Sequence, residues 1–343
     1  MLAYIIKRLL LLPVILGVLS VAIFSFNLAL SPYDRLAVFC SNPDALRNVD
    51  LEELVHRYGL DKPIFEQYWA WLKGLLHGDL GWSQSARMPV SVALGKYISA
   101  TIELMLFALI WTIWGSIALG TYAGAHQQKT LDQTLRVVST ISLAIPEFIL
   151  GLFFLVVFYV LLGWFPPGRL SLWAQNLVSS NAFTTYTNFY TIDALVNGRW
   201  DVFFDALRHV ILPSLTVAFG MWTTLFRLMR SSLLETIRED YVLVARAKGL
   251  KEKVVINKHA RRNALLPYIT QAGITIVRGL GGAVIVESVF NFRGMGMFLV
   301  TAATTLDFPA ILGVSLLIGA SIVLMNLIID VLYTTLDPRV ALR

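Results

Sequence analysis

A single cysteine, Cys40, stands in a chain of 343 residues. A lone thiol closes no internal disulfide and builds no cysteine metal cluster, so Cys40 reads as a small inert side chain. Charge is also scarce. Only 15% of the residues are Asp, Glu, Lys or Arg, against about a quarter in a soluble domain. The phosphate-cradling pattern G-x-x-x-x-G-K-[ST] is missing, so the chain does not itself grip ATP. H-E-x-x-H and G-x-S-x-G are missing too. His56, His77, His126, His209 and His259 are scattered rather than clustered. These absences argue against a metal site and against an intramembrane enzyme.

What is present is apolar. Hydrophobic residues make up 57% of the chain, and the mean hydropathy is +0.68. Several continuous apolar runs approach or exceed the roughly 20 residues that cross a bilayer as a helix. They lack the short alternating segments of a barrel. The fold class is therefore all-α integral membrane, because a helix satisfies its own backbone in lipid. The net charge of +6 needs no nucleic acid to explain it, since membrane proteins collect Lys and Arg in cytoplasmic loops.

The apolar runs give six spans: 9–30, 100–124, 134–162, 204–228, 266–290 and 310–334. Lys7 and Arg8 precede the first, which is long enough to be a retained helix rather than a signal peptide. They hold its start in the cytoplasm, and parity then puts both termini there. Charge agrees. Residues 227–262 carry ten basic and four acidic side chains, whereas the longer stretch 31–99 carries seven and eight. That asymmetry is the positive-inside pattern of a multi-pass cell-membrane protein. The expected organisation is 1–95 for the first helix with an extracytoplasmic segment, 96–336 for a transmembrane domain with a cytoplasmic loop at 229–265, and 337–343 for a tail.

The extracytoplasmic segment reads as two short helices. Asp50 with Glu53 forms a capping box for the first, Gly59 ends it, and Pro63 opens the second. Ile64, Tyr68, Trp71, Leu72 and Leu75 recur at helical spacing and predict a face on the membrane surface or on the helix bundle.

The cytoplasmic loop holds "DYVLVARAKGL" and then "KHARRNALLP". Leu233, Ile237, Tyr241 and Val244 share helical spacing, which predicts an amphipathic helix over 231–248 continuing the fourth span. Gly249 ends it, and a return helix leads to Pro267. Ala245, Ala247 and Gly249 form a small-residue crown flanked by Arg246 and Lys248. This elbow has the form of a plug for a socket on another protein.

These residues resemble the EAA loop of permease subunits of binding-protein-dependent ABC importers, the dipeptide/oligopeptide/nickel class in particular. "YGLDKPIFEQYWAWLKGLLHGDLGWS", "ATIELMLFALI", "RHVILPSLTVAFG", "GGAVIVESVFNFRGMGMFLVTAATTLDFPAILG" and "LIIDVLYTTLDPRV" resemble further segments of that family. The resemblance implies a type I ABC importer permease fold. It implies a coupling helix at Asp240, Tyr241, Ala245, Arg246, Ala247, Lys248, Gly249 and Leu250. The implied partners are a second homologous permease, two ATPases carrying ATP and Mg, and an extracytoplasmic binding protein. No cofactor is implied for this chain. Di- or oligopeptides are the cargo of the class, with nickel complexes or oligosaccharides as alternatives. The sequence departs from the pattern at Leu243, where the naming acid would stand, at Ser99 in place of proline, and at Glu147 in "SLAIPEFILG".

Ionisable residues in spans are costly and face protein or water. Glu103 and Asp330 lie near span ends and read as structural pairing residues. Arg278 and Glu287, nine residues apart on one helix, pair with each other or with the partner subunit. Glu147 follows Pro146, which opens the helix backbone, and is the candidate for the substrate path. A stand-alone secondary transporter or channel is the rival of another class. Inverted repeats or a charged relay would favour it, and neither is evident.

Overall fold

The computed structural model describes residues 2–27, 51–57 and 59–336. Cys40, the Asp50 cap and the 337–343 tail lie outside them. In chain order the helices are α1 (Leu2–Asn27), α2 (Leu51–Arg57), α3 (Ile64–Leu76), α4 (Val90–Ala125), α5 (Thr130–Ala144), α6 (Glu147–Phe154), α7 (Leu172–Val178), α8 (Tyr190–Val196), α9 (Trp200–Thr236), α10 (Asp240–Ala247), α11 (Glu252–Val254), α12 (Arg261–Val289), α13 (Met295–Thr304) and α14 (Phe308–Leu336). Wider π-type turns occupy Leu155–Leu161 and Val255–Ala260. Strands β1 (Trp82–Ser83) and β2 (Met88–Pro89) form a small antiparallel hairpin, with Trp82 opposite Pro89 and Ser83 opposite Met88.

Among the described residues, α4, α9 and Phe308–Ile329 of α14 are long and apolar enough to cross a membrane. Two bent pairs raise the number to five. One is Thr130–Ala144 with Glu147–Leu161, bent by 110°; the other is Glu252–Gly279 with Gly281–Val289, bent by 48°. The shorter apolar stretch Pro13–Ser25 lies in α1. Length and composition thus give three to five spans, against six expected from the sequence.

The residues fall into two compact units. The first comprises 1–100 and 293–327. Here Tyr68, Trp71, Leu72 and Leu75 of α3 pack with Ile23 and Phe24 of α1 and Leu312 of α14. Ile64 is not part of that face and stays 58% exposed. Gln67 is buried instead, because its Nε2 donates to the carbonyls of Leu60 (2.9 Å) and Lys62 (2.7 Å) and so closes the turn before α3. The hairpin is tied to the start of α14 by Asp307, whose Oδ2 accepts from Ser83 Oγ (2.6 Å), Ser85 N (2.8 Å) and Ser85 Oγ (2.7 Å).

The second unit comprises 101–292 and 328–343. Its centre is α9, which packs on α12, α5, α6 and α8. Helix α4 approaches α9 through Gly120 and Gly124, a small-xxx-small pair of the kind that lets apolar helices close backbone to backbone. A Cβ at Gly120 would lie 2.8 Å from Met229 Cβ and 3.1 Å from the Phe226 carbonyl oxygen. Two buried ion pairs lock the unit. Arg169 meets Glu103 at 2.6 Å, and Glu103 also accepts from Thr191 N (2.9 Å) and Oγ1 (2.7 Å). Arg230 grips the fully buried Asp132 with two bonds of 2.5 and 2.8 Å.

Candidate functional site

Two places bring together the residues singled out by the sequence. The first is the break before α6. Proline has no amide proton to continue the helix. At Ile145–Pro146 the backbone turns extended (ψ 121° and 139°), and α6 restarts at Glu147. The Glu147 side chain enters a notch between Gly220 of α9 and Gly282 of α12. A Cβ on either glycine would collide with its carboxylate oxygens. Gly282 directly follows the 48° bend of α12. Two bent spans therefore meet at this carboxylate, with α9 as the third wall. Glycine- or proline-interrupted helices line the substrate sites of many secondary transporters.

The carboxylates of the unit differ in one respect. Glu103 and Asp132 are fully engaged, as described above. Glu287 is buried and accepts from Thr101 Oγ1 at 2.5 Å. Glu147 is only half-buried. Among the described residues no donor reaches its carboxylate. Arg278 and Glu287 are not brought together: Glu287 turns inward to Thr101, whereas Arg278 is exposed on α12. Asp330 lies in α14, in a stretch whose side chains fall outside the described residues.

The second place is the elbow. It is not the continuous 231–248 helix expected from the spacing. Helix α9 ends at Thr236, a turn occupies 237–239, and α10 starts at Asp240. The turn rotates the second helix. Val242 and Ala245 are buried against Val255, Ala260 and Ala264, whereas Tyr241 and Val244 of the expected face are exposed. Ala245 is therefore part of the elbow's own core rather than of a crown. Ala247, Lys248, Gly249 and Leu250 are exposed at the tip, and Asp240 lies exposed at the start. Gly249 sits at φ +76°, and the Gly249 and Leu250 amides donate back to the carbonyls of Arg246 (2.9 Å) and Ala245 (3.4 Å). That is a Schellman stop, which glycine adopts without a Cβ penalty.

Arg246 staples the tip to the return helix. Its guanidinium makes two bonds to Glu252, of 3.1 and 2.7 Å. These bonds push the Arg246 pKa above its ordinary value, so the pair stays charged. Asn263 Nδ2 donates to Tyr241 OH at 2.6 Å. The outer surface then shows Leu243 (50% exposed), Val244 (52%), Leu250 and Val254 beside Lys248, Lys251 and Lys253. The elbow's outer surface is thus an apolar patch with a basic rim.

A family model described as "Binding-protein-dependent transport system inner membrane component" matches residues 116–342. A model of the N-terminal part of such components matches residues 1–96. The chain belongs to this family. The permease is 37% identical over 328 residues to a probable D,D-dipeptide transport system permease protein of Escherichia coli (strain K12), covering 95% of this chain and 94% of that one. It is 34% identical over 342 residues to an oligopeptide transport system permease protein of Bacillus subtilis (strain 168), covering 99% of each. It is 32% identical over 340 residues to a glutathione transport system permease protein of Shigella flexneri serotype 5b (strain 8401), again covering 99% of each. In this family of ABC importers ATP hydrolysis belongs to separate ATPase subunits. The permease is thus a multi-pass membrane component.

Residues that the sequence did not single out complete both places. Gly220 and Gly282 wall the Glu147 notch. Their only signal was glycine inside an apolar helix, which often marks close approach. Val242 and Glu252 of the elbow were hidden by the turn at 237–239. Its one sequence trace is the pair Glu239–Asp240, since acids gather in a first helical turn.

Proposed function

We propose that the chain is one of two permease subunits of an ATP-driven importer of di- or oligopeptides. The second subunit is a homologous permease. Two ATPases carrying ATP and Mg dock at the elbow, with Tyr241, Leu243, Val244 and Leu250 as the apolar contact and Lys248 as part of its rim. An extracytoplasmic binding protein delivers the peptide to the side of the 31–99 segment, and both termini lie in the cytoplasm. The division at about residue 95 is in keeping with two family models, the N-terminal one ending at 96 and the other starting at 116. A peptide cargo is supported by the names of relatives that align along nearly the whole chain. Nickel complexes or oligosaccharides remain the alternative cargo on the same machinery.

The observation that carries the path is the unengaged Glu147 carboxylate where two bent spans meet. Even a half-buried charge without a partner is costly in a membrane span, so a site that keeps one suits a ligand or motion. The peptide ammonium is its natural counter-ion. Attraction stays weak enough for release because the notch is only half-buried. ATP closure of the ATPase dimer pulls on α10, whose short turn to α9 passes the movement to the Gly220 wall of the notch.

Reconstituting the permease pair with its ATPases and binding protein tests this directly. Labelled dipeptide should accumulate in proteoliposomes only with ATP. Glu147→Gln should lower uptake of free-amine peptides more than that of N-acetylated ones. Uptake that proceeds without ATP or without ATPase subunits would favour the secondary-transporter reading instead.

A further inference from the structure

Glu147 and Arg278 carry opposite charges in the apolar parts of the second unit's bent spans, away from the basic run at 253–262, and neither side chain has a polar partner among the described residues. Helix α12 connects them. Gly282 forms one wall of the Glu147 notch, and Arg278 stands four residues earlier on the same helix. Four residues are about one turn, roughly 6 Å of rise, with the 48° bend between the two positions. Ile274, about one turn before Arg278, and Ile285, beyond the bend, are exposed as Arg278 is. A guanidinium on such an apolar face needs an anion, since it never loses its proton.

The two charges do not satisfy each other, for no ion pair joins them among the described residues. A ligand that bears a cation and an anion about one helical turn apart satisfies both. The termini of an extended dipeptide are separated by about two residue lengths, roughly 7 Å. Its α-ammonium suits the carboxylate, and its terminal carboxylate suits the planar, bidentate guanidinium.

We propose that Arg278 is the carboxylate-recognising residue of the translocation path, holding the C-terminus of a short zwitterionic peptide whose ammonium end lies at Glu147. This rests on the peptide path argued above and adds to it a specificity residue and a preference for free C-termini. Arg278 touches only one end of the cargo, so side chains of any kind pass.

The test uses the assembled transporter in nanodiscs without its binding protein, so that only the path reads the ligand. Saturation-transfer NMR measures binding of dialanine and of dialanine amide. The wild type should bind the free acid about tenfold more tightly, the scale of one charge-assisted pair. Arg278→Gln should bind acid and amide alike, Arg278→Lys should keep part of the preference, and Glu147→Gln should weaken both ligands by the same factor. Equal binding of acid and amide by the wild type overturns the role of Arg278 while leaving the peptide path standing. Loss of the second permease from Arg278→Gln on size exclusion also overturns it, because the guanidinium would then pair across the subunit interface. Binding of neither ligand by the wild type removes the peptide path itself, and this proposal with it.

Discussion

Alanine at Gly220 and alanine at Gly120 should have opposite consequences, although both glycines lie in close helix contacts. At Gly120 a Cβ meets Met229 Cβ at 2.8 Å and the Phe226 carbonyl oxygen at 3.1 Å. Neither atom can move without shifting α9. Overpacking of that kind costs about 1–3 kcal/mol. At Gly220 the atoms in the way are the carboxylate oxygens of Glu147 and its Cδ at 2.8 Å, the far end of a flexible side chain. One rotation clears them, at about 0.5–1.5 kcal/mol if the new rotamer is poor. Gly220→Ala should therefore leave the thermal midpoint of the purified complex nearly unchanged while expelling the carboxylate from its notch. Peptide uptake should fall about tenfold, the worth of one charge-assisted hydrogen bond. Gly120→Ala should lower the midpoint, with uptake per surviving complex near normal. Introducing Glu147→Ala beside Gly220→Ala should cause no further loss, because the carboxylate is already displaced. If Gly220→Ala destabilises as much as Gly120→Ala and leaves uptake per complex intact, the notch does not serve transport.

Three other outcomes follow from the structure. Asp132→Asn leaves Arg230 without its buried partner, a loss of about 3 kcal/mol, and should reduce the yield of assembled complex, as measured by fluorescence-detected size exclusion. Gly249→Ala strains a left-handed position by about 1 kcal/mol and should lower coupling modestly, whereas Gly249→Trp adds bulk at the elbow tip and should abolish ATPase co-purification with membrane insertion unchanged; retention of the ATPase by the Trp variant would sink the docking assignment. A cysteine at the exposed Gln84, in a background without Cys40, should react with a membrane-impermeant thiol reagent in intact cells, and labelling only after permeabilisation would reverse the orientation.

Local devices were legible in the sequence, and long-range pairings were not. Gly59 and Gly249 announce helix stops because only glycine enters the left-handed region cheaply, and both have positive φ. Pro146 announces a break because proline lacks an amide proton, and the span is broken there. The face of α10 was misplaced because helical spacing was carried through 237–239, where no glycine or proline marks the turn. The pairing of Arg278 with Glu287 drew on spacing along one helix. The structure instead gives Glu287 to Thr101, 186 residues away. Arg169 with Glu103, and Arg230 with Asp132, join elements 66 and 98 residues apart, a separation that no periodicity encodes. The Glu147 notch was half legible for the same reason. Pro146 and the carboxylate are neighbours in sequence, but Gly220 and Gly282 reach it only through the packing of α9 and α12.

The path itself is tested most directly by a dipeptide carrying a small photoreactive group, trapped in the transporter during ATP turnover and mapped by mass spectrometry. Cross-links should concentrate on Glu147 and on the α9 and α12 segments around Gly220 and Gly282, and Glu147→Gln should diminish them. Cross-links confined to other helices, unchanged by that substitution, would contradict this path.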